Sequence, residues 1–582
     1  MAVMTPNRTS STLLGIGWIA ALSPCACSSS PGELFSSGSS VAALSDTVSS
    51  ASLADEPRFE TQLPIPPLLV PTSRDAGTDY YEINIRSGRA QMRAGASTPI
   101  VGFNGIAPGP TIVATRGRSV QVTQQNDWTE ELSIHNHGHK VDAASDGHPT
   151  DYVLPGDAKV YTYPNDQNAG TYWYHDHTMD VTGPHVYAGL AGFYIIKDPA
   201  EDALGLPEGA YDIPLLIQDK KFNSDNSLSY EPDLLLGLVG DTAIVNGVET
   251  PSLDVGTRKY RFRLLNGSNA RPIAVQLRVR GSSTREPFQV IASDGGLLQA
   301  PVALSLLPMA PAERYDVVVD FSQYPVGTQL EFANAFDGAG WGGPGWEESG
   351  GALWAEPVTT RANVFGGPNG AAWGGPNAAG WGGPSGAAWG GANAAGWGGP
   401  NGAAWGGPNV FLAQGADGEG AGEVPTLSHL LQFVVARSEA DPSRVPARLA
   451  TVQRHQSSDA VDTKQIVFRL DGTDWTMNDL MYDPERVDVT SEIDKVYIWS
   501  LTNESPIPHP FHKHLSQFNI LDINGEPPAS FMNGWKDTVM VPPGSTVRIL
   551  FKEETFTGTY VFHCHILEHE DHGMMLQEQV VR

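Results

Sequence analysis

Four short histidine motifs carry most of the chemistry this chain could do. They are His135-Asn136-His137, His175-Asp176-His177, the run His509, His512, His514, and His563-Cys564-His565 with His569 following. Together they take up most of the sixteen histidines. On a strand, residues i and i+2 face the same side, roughly 6.5–7 Å apart. One His-x-His can therefore offer two imidazoles to neighbouring metal ions, and four such pairs supply a cluster of several ions. Imidazole suits zinc, copper, iron and nickel, so the pairs alone leave the metal open.

The fourth motif narrows it. In His563-Cys564-His565 the cysteine points away from the face its neighbours share, so its thiolate can bind a different ion a few bonds away. His569 lies on the same segment and Met574 follows. With one further histidine this makes the His₂Cys set with a weak methionine that marks a blue-copper electron-transfer centre. A zinc hydrolase would want three ligands and an open water position, not paired imidazoles beside a Cys–Met centre. The isolated histidines His139, His148, His185, His429, His455 and His572 are read as ordinary core or surface residues.

The elements that must position these motifs are strands. SVQVTQ, PFQVIAS, RYDVVVDF, VYIWSLTN and STVRILF alternate or run apolar between Gly- and Pro-rich turns such as APGP, VNG and VPPG. No long helical period competes, so the chain reads as all-β sandwiches. Its 582 residues suffice for several domains. Lys plus Arg is 36 against 65 Asp plus Glu, a net charge of −29. Phosphate backbones and anionic lipid surfaces repel such a chain, which excludes nucleic-acid binding. Only three cysteines occur, Cys25, Cys27 and Cys564, so the body has no disulfide framework and one thiol for metal or catalysis.

At the N-terminus Arg8 precedes an apolar run from Leu13 to Leu22, too short to span a membrane. Residues 1–27 are read as a secretory signal. The stretch LSPCAC resembles a bacterial lipoprotein processing site, with Cys27 or Cys25 lipidated and the protein anchored to the outer membrane. Ordinary cleavage to a soluble product is the alternative. The expected location is outside the cytoplasm: periplasm, cell surface or medium. Residues 28–78 are read as a tether, 79–200, 201–336 and 427–582 as three domains, and 337–426 as an insert with its linker. In the insert Trp373, Trp381, Trp389, Trp397 and Trp405 recur every eight residues in a WGGPN-like unit. So much Gly and Pro cannot repay its ordering entropy. The functional alternative is an aromatic surface for lignin-like, glycan or self-association contacts.

Eight stretches carry a family resemblance. They are NGIAPGPTI, HNHGH…SDGHP, WYHDHTMD…VYAGLAGFYII, VNG…RKYRFRLLNGSNAR, SDGGLL, APAERYDVVVDF, HPFHKHLSQFNIL and YVFHCHILEHEDHGMM. From about residue 79 to 582, apart from the Trp-rich insert, the chain resembles the multicopper oxidases, and among them the bacterial spore-coat-type laccases with bilirubin oxidase and phenoxazinone synthase. The resemblance implies three cupredoxin-like Greek-key β-sandwich domains and four copper ions. One is type 1, held by His509, Cys564 and His569 with Met574 axial. One is type 2, held by His135 and His512. Two form a type 3 pair held by His137, His175, His177, His514, His563 and His565. Asp146 and Glu570 match acids that assist protonation of oxygen. Asn136 and Lys513 depart from the family by replacing apolar residues between ligands, and both should point away from the metals.

The implied reaction couples four one-electron oxidations of a small aromatic reductant to reduction of O₂ to two waters, with electrons passing through Cys564 to His563 and His565. Met574 argues for a moderate type 1 potential. A monomer is expected. The rivals are a cuprous oxidase of copper homeostasis, disfavoured by only eleven methionines, and a non-catalytic copper-binding surface protein, which would not need both centres. Phenols, aromatic amines, bilirubin-like pigments and metal ions all stay open as reductants.

Overall fold

Period-two burial sets the architecture in the computed structural model, which describes residues 59–336 and 427–582. The expected signal, the tether up to residue 58 and the Trp-rich insert lie outside the described residues. In strand Ser119–Asn126 every second side chain is buried, as in a sheet with one face on a core. Strand Gly170–Asp176 is buried throughout, because both of its faces are covered.

Six sheets pair into three sandwiches. In the first, a sheet built on Thr78–Ala90, Ser119–Asn126 and Ala158–Tyr163 faces a four-stranded sheet ordered Gly109–Thr115, Ala191–Lys197, Gly170–Asp176, Ile134–His137. The second opposes a seven-stranded sheet around Lys259–Asn266 and Arg314–Asp320 to a six-stranded one. In the third, the five-stranded sheet containing Val496–Asn503 faces a five-stranded sheet containing His509–Lys513 and Gly558–Cys564. The all-β, cupredoxin-like expectation holds.

Two expected boundaries move. Strand His429–Arg437 does not open the third domain. It pairs antiparallel with Gln329–Asn334 and parallel with Ser252–Gly256, completing the second sandwich. The Trp-rich insert is thus the connection between two neighbouring antiparallel strands, where added length costs closure entropy only logarithmically. Reading along the chain hides this, since pairing rather than order defines the domain. The tether, expected to run to residue 78, ends by residue 59. Leu63 N–H donates to the Ser252 carbonyl at 2.8 Å and Leu69 N–H to that of Thr111 at 2.8 Å, so this segment ties the second sandwich to the first. Its prolines suppress the alternation that would have revealed it.

The inner sheets of the first and third sandwiches bring the motifs together through register. His135 stands opposite His175 on adjacent antiparallel strands, and His512 opposite His563.

Candidate metal centres

Eight imidazoles converge between the first and third sandwiches, all at most 1% exposed. His177, His514 and His563 bring ligand atoms within 4.8 Å of one another. The rings of His137, His175 and His565 lie 5.1, 5.6 and 5.8 Å apart, and those of His135 and His512 5.7 Å apart. The sequence-predicted groups therefore form one cluster.

His135 Nδ1 donates to the Asp146 carbonyl at 2.6 Å, His175 Nδ1 to that of Asp176 at 2.7 Å and His512 Nδ1 to that of Asp537 at 2.8 Å. The Nε2 atom of each of these rings has no partner. His137 is turned the other way. Its Nε2 meets the Asp537 carboxylate and the Thr538 hydroxyl, each at 3.1 Å, and its Nδ1 is unpartnered. His565 has no partner at either nitrogen. Buried polar atoms are normally satisfied, so a set of orphaned imidazole nitrogens on one side of rings held by the other fits metal ligation with outer-shell hydrogen bonds. In seven of the eight rings burial favours the neutral form that ligation requires. It lowers His175 to about 3 and His177 to about 4, neighbouring histidines adding to the effect, and drives His135, His137, His512, His514 and His565 well below their ordinary value.

Two acids flank the cluster. Asp146 Oδ2 accepts from His514 Nδ1 at 2.7 Å, and burial pushes this carboxyl up to about 8. Glu570 lies 3.3 Å from His177 and 3.0 Å from His563. Burial acts to raise its carboxyl, but His177 and His563 outweigh that and hold it below the usual carboxylate range.

A second centre sits in the third sandwich. Strand His509–Lys513 brings His509, the end of strand Gly558–Cys564 brings Cys564, and helix Leu567–Asp571 brings His569. Cys564 Sγ is 3.3 Å from His509 Nδ1 and 3.7 Å from His569 Nδ1. Ser505 holds His509 Nε2 at 2.7 Å, so the sulfur side of the ring faces inward. Met574 is buried and stitched to both neighbours, its N–H on the His569 carbonyl at 2.9 Å and its carbonyl on Cys564 N–H at 3.1 Å. Burial raises the Cys564 thiol well above its ordinary value, so a thiolate there requires a compensating cation.

The histidines set aside as ordinary lie outside both clusters. His148 meets Gln577, His185 meets Asp176 and His429 meets Glu331. His139 sits among Tyr163, Tyr172 and Tyr194, His455 lies beside Trp535, and His572 donates to the Glu568 carbonyl. Lys513 points away from the cluster as expected, into a buried ion network with Glu553 at 2.9 Å and Glu578 at 2.5 Å.

Sequence reasoning missed three residues. Asp537 contacts His137 and is clamped by Arg314 of the second sandwich, Nη1 at 2.6 Å and Nη2 at 2.5 Å. Its signal was an acid directly before strand Thr538–Val541, but only the pairing of that strand with His509–Lys513 places it. Trp475 stacks on His569 with ring centres 4.3 Å apart, and hairpin Trp475 carried no motif.

Comparison with known proteins agrees with this geometry. Multicopper oxidase family profiles match residues 84–201 and 445–582. The laccase of Bacillus subtilis is 30% identical over 89% of this chain and 97% of its own length. The bilirubin oxidase of Albifimbria verrucaria is 32% identical over 89% of this chain and 80% of its own. The crystal structure of a laccase from Pediococcus acidilactici superposes with a TM-score of 0.71 at 27% identity, covering 90% of this chain and 95% of that one. By its strand architecture, its paired imidazoles and its relatives, the chain belongs to the multicopper oxidase family.

Proposed function

We propose that this multicopper oxidase is a laccase-like enzyme that oxidises small phenolic or aromatic reductants one electron at a time and delivers the electrons to O₂. One observation carries the reading. The His509–Cys564–His569 centre and the eight-imidazole cluster share a single segment, with Cys564 in one and its neighbours His563 and His565 in the other.

In this reading His509, Cys564, His569 and Met574 would hold the type 1 copper, and His135 and His512 the type 2 copper. His137, His175 and His565 would hold one type 3 ion, and His177, His514 and His563 the other. When bound, the coppers supply one-electron uptake and the four-electron reduction of O₂ to two waters. The chain supplies the rest. Neutral buried rings present their lone pairs, the carbonyls of Asp146, Asp176 and Asp537 fix ring orientation, and Cys564 gives a short covalent path between centres. Water formation consumes four protons. Asp146 touches His514, with burial raising its carboxyl, and Glu570 touches His177 and His563, so both acids lie within reach of the cluster as proton-carrying groups.

We place the enzyme outside the cytoplasm as a monomer, released by its signal segment or held by a lipid at Cys27 or Cys25; the leader composition supports this reading. Mass spectrometry of the membrane fraction would detect the lipid. The function is tested by oxygen uptake of the copper-loaded protein with a methoxyphenol and with Cu(I), beside Cys564→Ser. Fast uptake with the phenol, lost in the variant, is expected. Uptake mainly with Cu(I) would move the enzyme to copper homeostasis, and no uptake with either would leave a binding role.

A further inference from the structure

If electrons enter at the His509–Cys564–His569 centre, whatever covers His569 decides what can deliver them. That cover is a turn of the second sandwich, Asp233–Gly237. Asp233 and Gly237 exchange backbone hydrogen bonds at 2.9 and 3.1 Å, and the Asp233 carboxylate accepts from the N–H groups of Leu235 at 2.8 Å and Leu236 at 2.9 Å. The turn is therefore a fixed structure. Its carbonyls point inward. That of Leu235 accepts from His569 Nε2 at 3.0 Å and that of Leu234 from Trp475 Nε1 at 3.0 Å. Trp475 lies flat on His569, 27° from parallel, and edge-on to His509.

The fit is close. Gly237 has φ +73°, and a Cβ there would meet Glu568 Oε2 at 2.7 Å, Ala270 Cβ at 2.8 Å and Ile566 Cγ2 at 2.8 Å. No side chain fits between the turn and the segment that carries His569. As a result His569 and Trp475 are each 1% exposed, while the Leu234 side chain outside them is 64% exposed. Neither ligand histidine keeps a free N–H, since Ser505 occupies that of His509.

We propose that the turn Asp233–Gly237, together with Trp475, is the electron-entry element of this enzyme: an apolar reductant rests against Leu234 and passes its electron across the Leu235 carbonyl–His569 hydrogen bond and the Trp475 stack, without touching a ligand histidine. The proposal rests on the oxidase reading above and adds to it a rule of selection. Donors are chosen by apolar fit and ease of oxidation, because the histidine N–H that a phenol oxygen would seek already has a partner. Each donor molecule loses one electron, a phenol releases its proton to solvent, and four such events balance one O₂ and four protons against two waters.

The test uses the copper-loaded full chain and two donor series of overlapping potential, methoxyphenols and fully N-methylated anilines, the latter without any O–H or N–H. In the wild type, log kcat/KM of both series is expected to fall on one line against donor potential. Gly237→Ala, which pushes the turn outward, and Trp475→Phe, which keeps the ring but frees the Leu234 carbonyl, should lift the phenols at least five-fold above that line. A second readout needs no copper. In the apoprotein, diethyl pyrocarbonate should spare His569 in the wild type, modify exposed His572, and reach His569 in Gly237→Ala. Wild-type phenols lying ten-fold above the anilines, or His569 modified as fast as His572, would overturn the proposal while leaving the oxidase intact. A blue, fully loaded protein that takes up no oxygen with either series would instead overturn the oxidase reading and this proposal with it.

Discussion

Lys513→Met is the substitution that most directly probes the buried charge behind the ligand strand. Lys513 is 1% exposed and holds Glu553 at 2.9 Å and Glu578 at 2.5 Å, themselves 0 and 1% exposed. Its Nζ also sits 5.1 Å from the Trp499 ring centre and 4.8 Å from that of Phe551. Methionine fills similar volume, so packing changes little, but two carboxylates lose their cation. Removing one partner of a buried ion pair costs about 3–5 kcal/mol. For a domain of this size, about 2–4 °C of melting temperature per kcal/mol puts the shift near ~10 °C. The assay is calorimetry of the apoprotein, reading the transition that carries the third sandwich. The pH dependence has a definite sign. Burial already raises the Glu578 carboxyl, Lys513 opposing it, and without Lys513 that opposition is lost. The folded variant then binds more protons than the unfolded chain above the ordinary glutamate range, so its stability falls as pH rises and the deficit is larger at pH 8 than at pH 5. Replacing all three residues by leucine should recover most of the loss. A shift under about 2 °C for Lys513→Met, or a deficit that grows toward acid, would refute a charged, desolvated network, since breaking a buried pair costs several kcal/mol.

Asp146→Asn keeps a hydrogen-bonding side chain beside His514 but cannot give up a proton, so kcat should fall by about 10²–10⁴ with little change in donor KM, as steady-state kinetics would show. Stripping the metal should make the protein acid-labile. Burial holds His175 and His569 at about 3 and His177 at about 4, so the folded form binds fewer protons than the unfolded chain from about pH 6.5 down to those values, and apoprotein stability falls as pH drops through that window. Thermal melts of the apo form from pH 7 to 4 should fall steadily, by more than those of the copper-loaded protein. Arg314→Met should uncouple Asp537 from His137 and cost about 3–5 kcal/mol by leaving the buried Asp537 carboxylate without its guanidinium, measurable as loss of the calorimetric transition and of copper retained after dialysis.

The clustering of the histidines was legible in the sequence because the strand period alone puts His135 and His137, or His563 and His565, on one face. Chain order hid what depends on pairing. Strand His429–Arg437 belongs to the second sandwich through Gln329–Asn334, and Asp537 reaches His137 from a residue four hundred positions away in sequence. The proline-rich segment after Phe59 lacks alternation, so its hydrogen bonds to Ser252 and Thr111 left no periodic trace. The cover over His569 was invisible for another reason. It is made by backbone carbonyls of Leu234 and Leu235, and carbonyls have no residue signature.

The central claim is that one chain carries two copper centres joined at Cys564. Metal analysis with electron paramagnetic resonance and visible absorption on the loaded wild type and Cys564→Ser tests it most directly. The account predicts four coppers per chain and an intense blue absorption band in the wild type, from a Cys-ligated blue-copper site. The variant should retain three coppers, lose that band and keep the type 2 signal. A variant that keeps the band, or a wild type that binds a single copper, would contradict it.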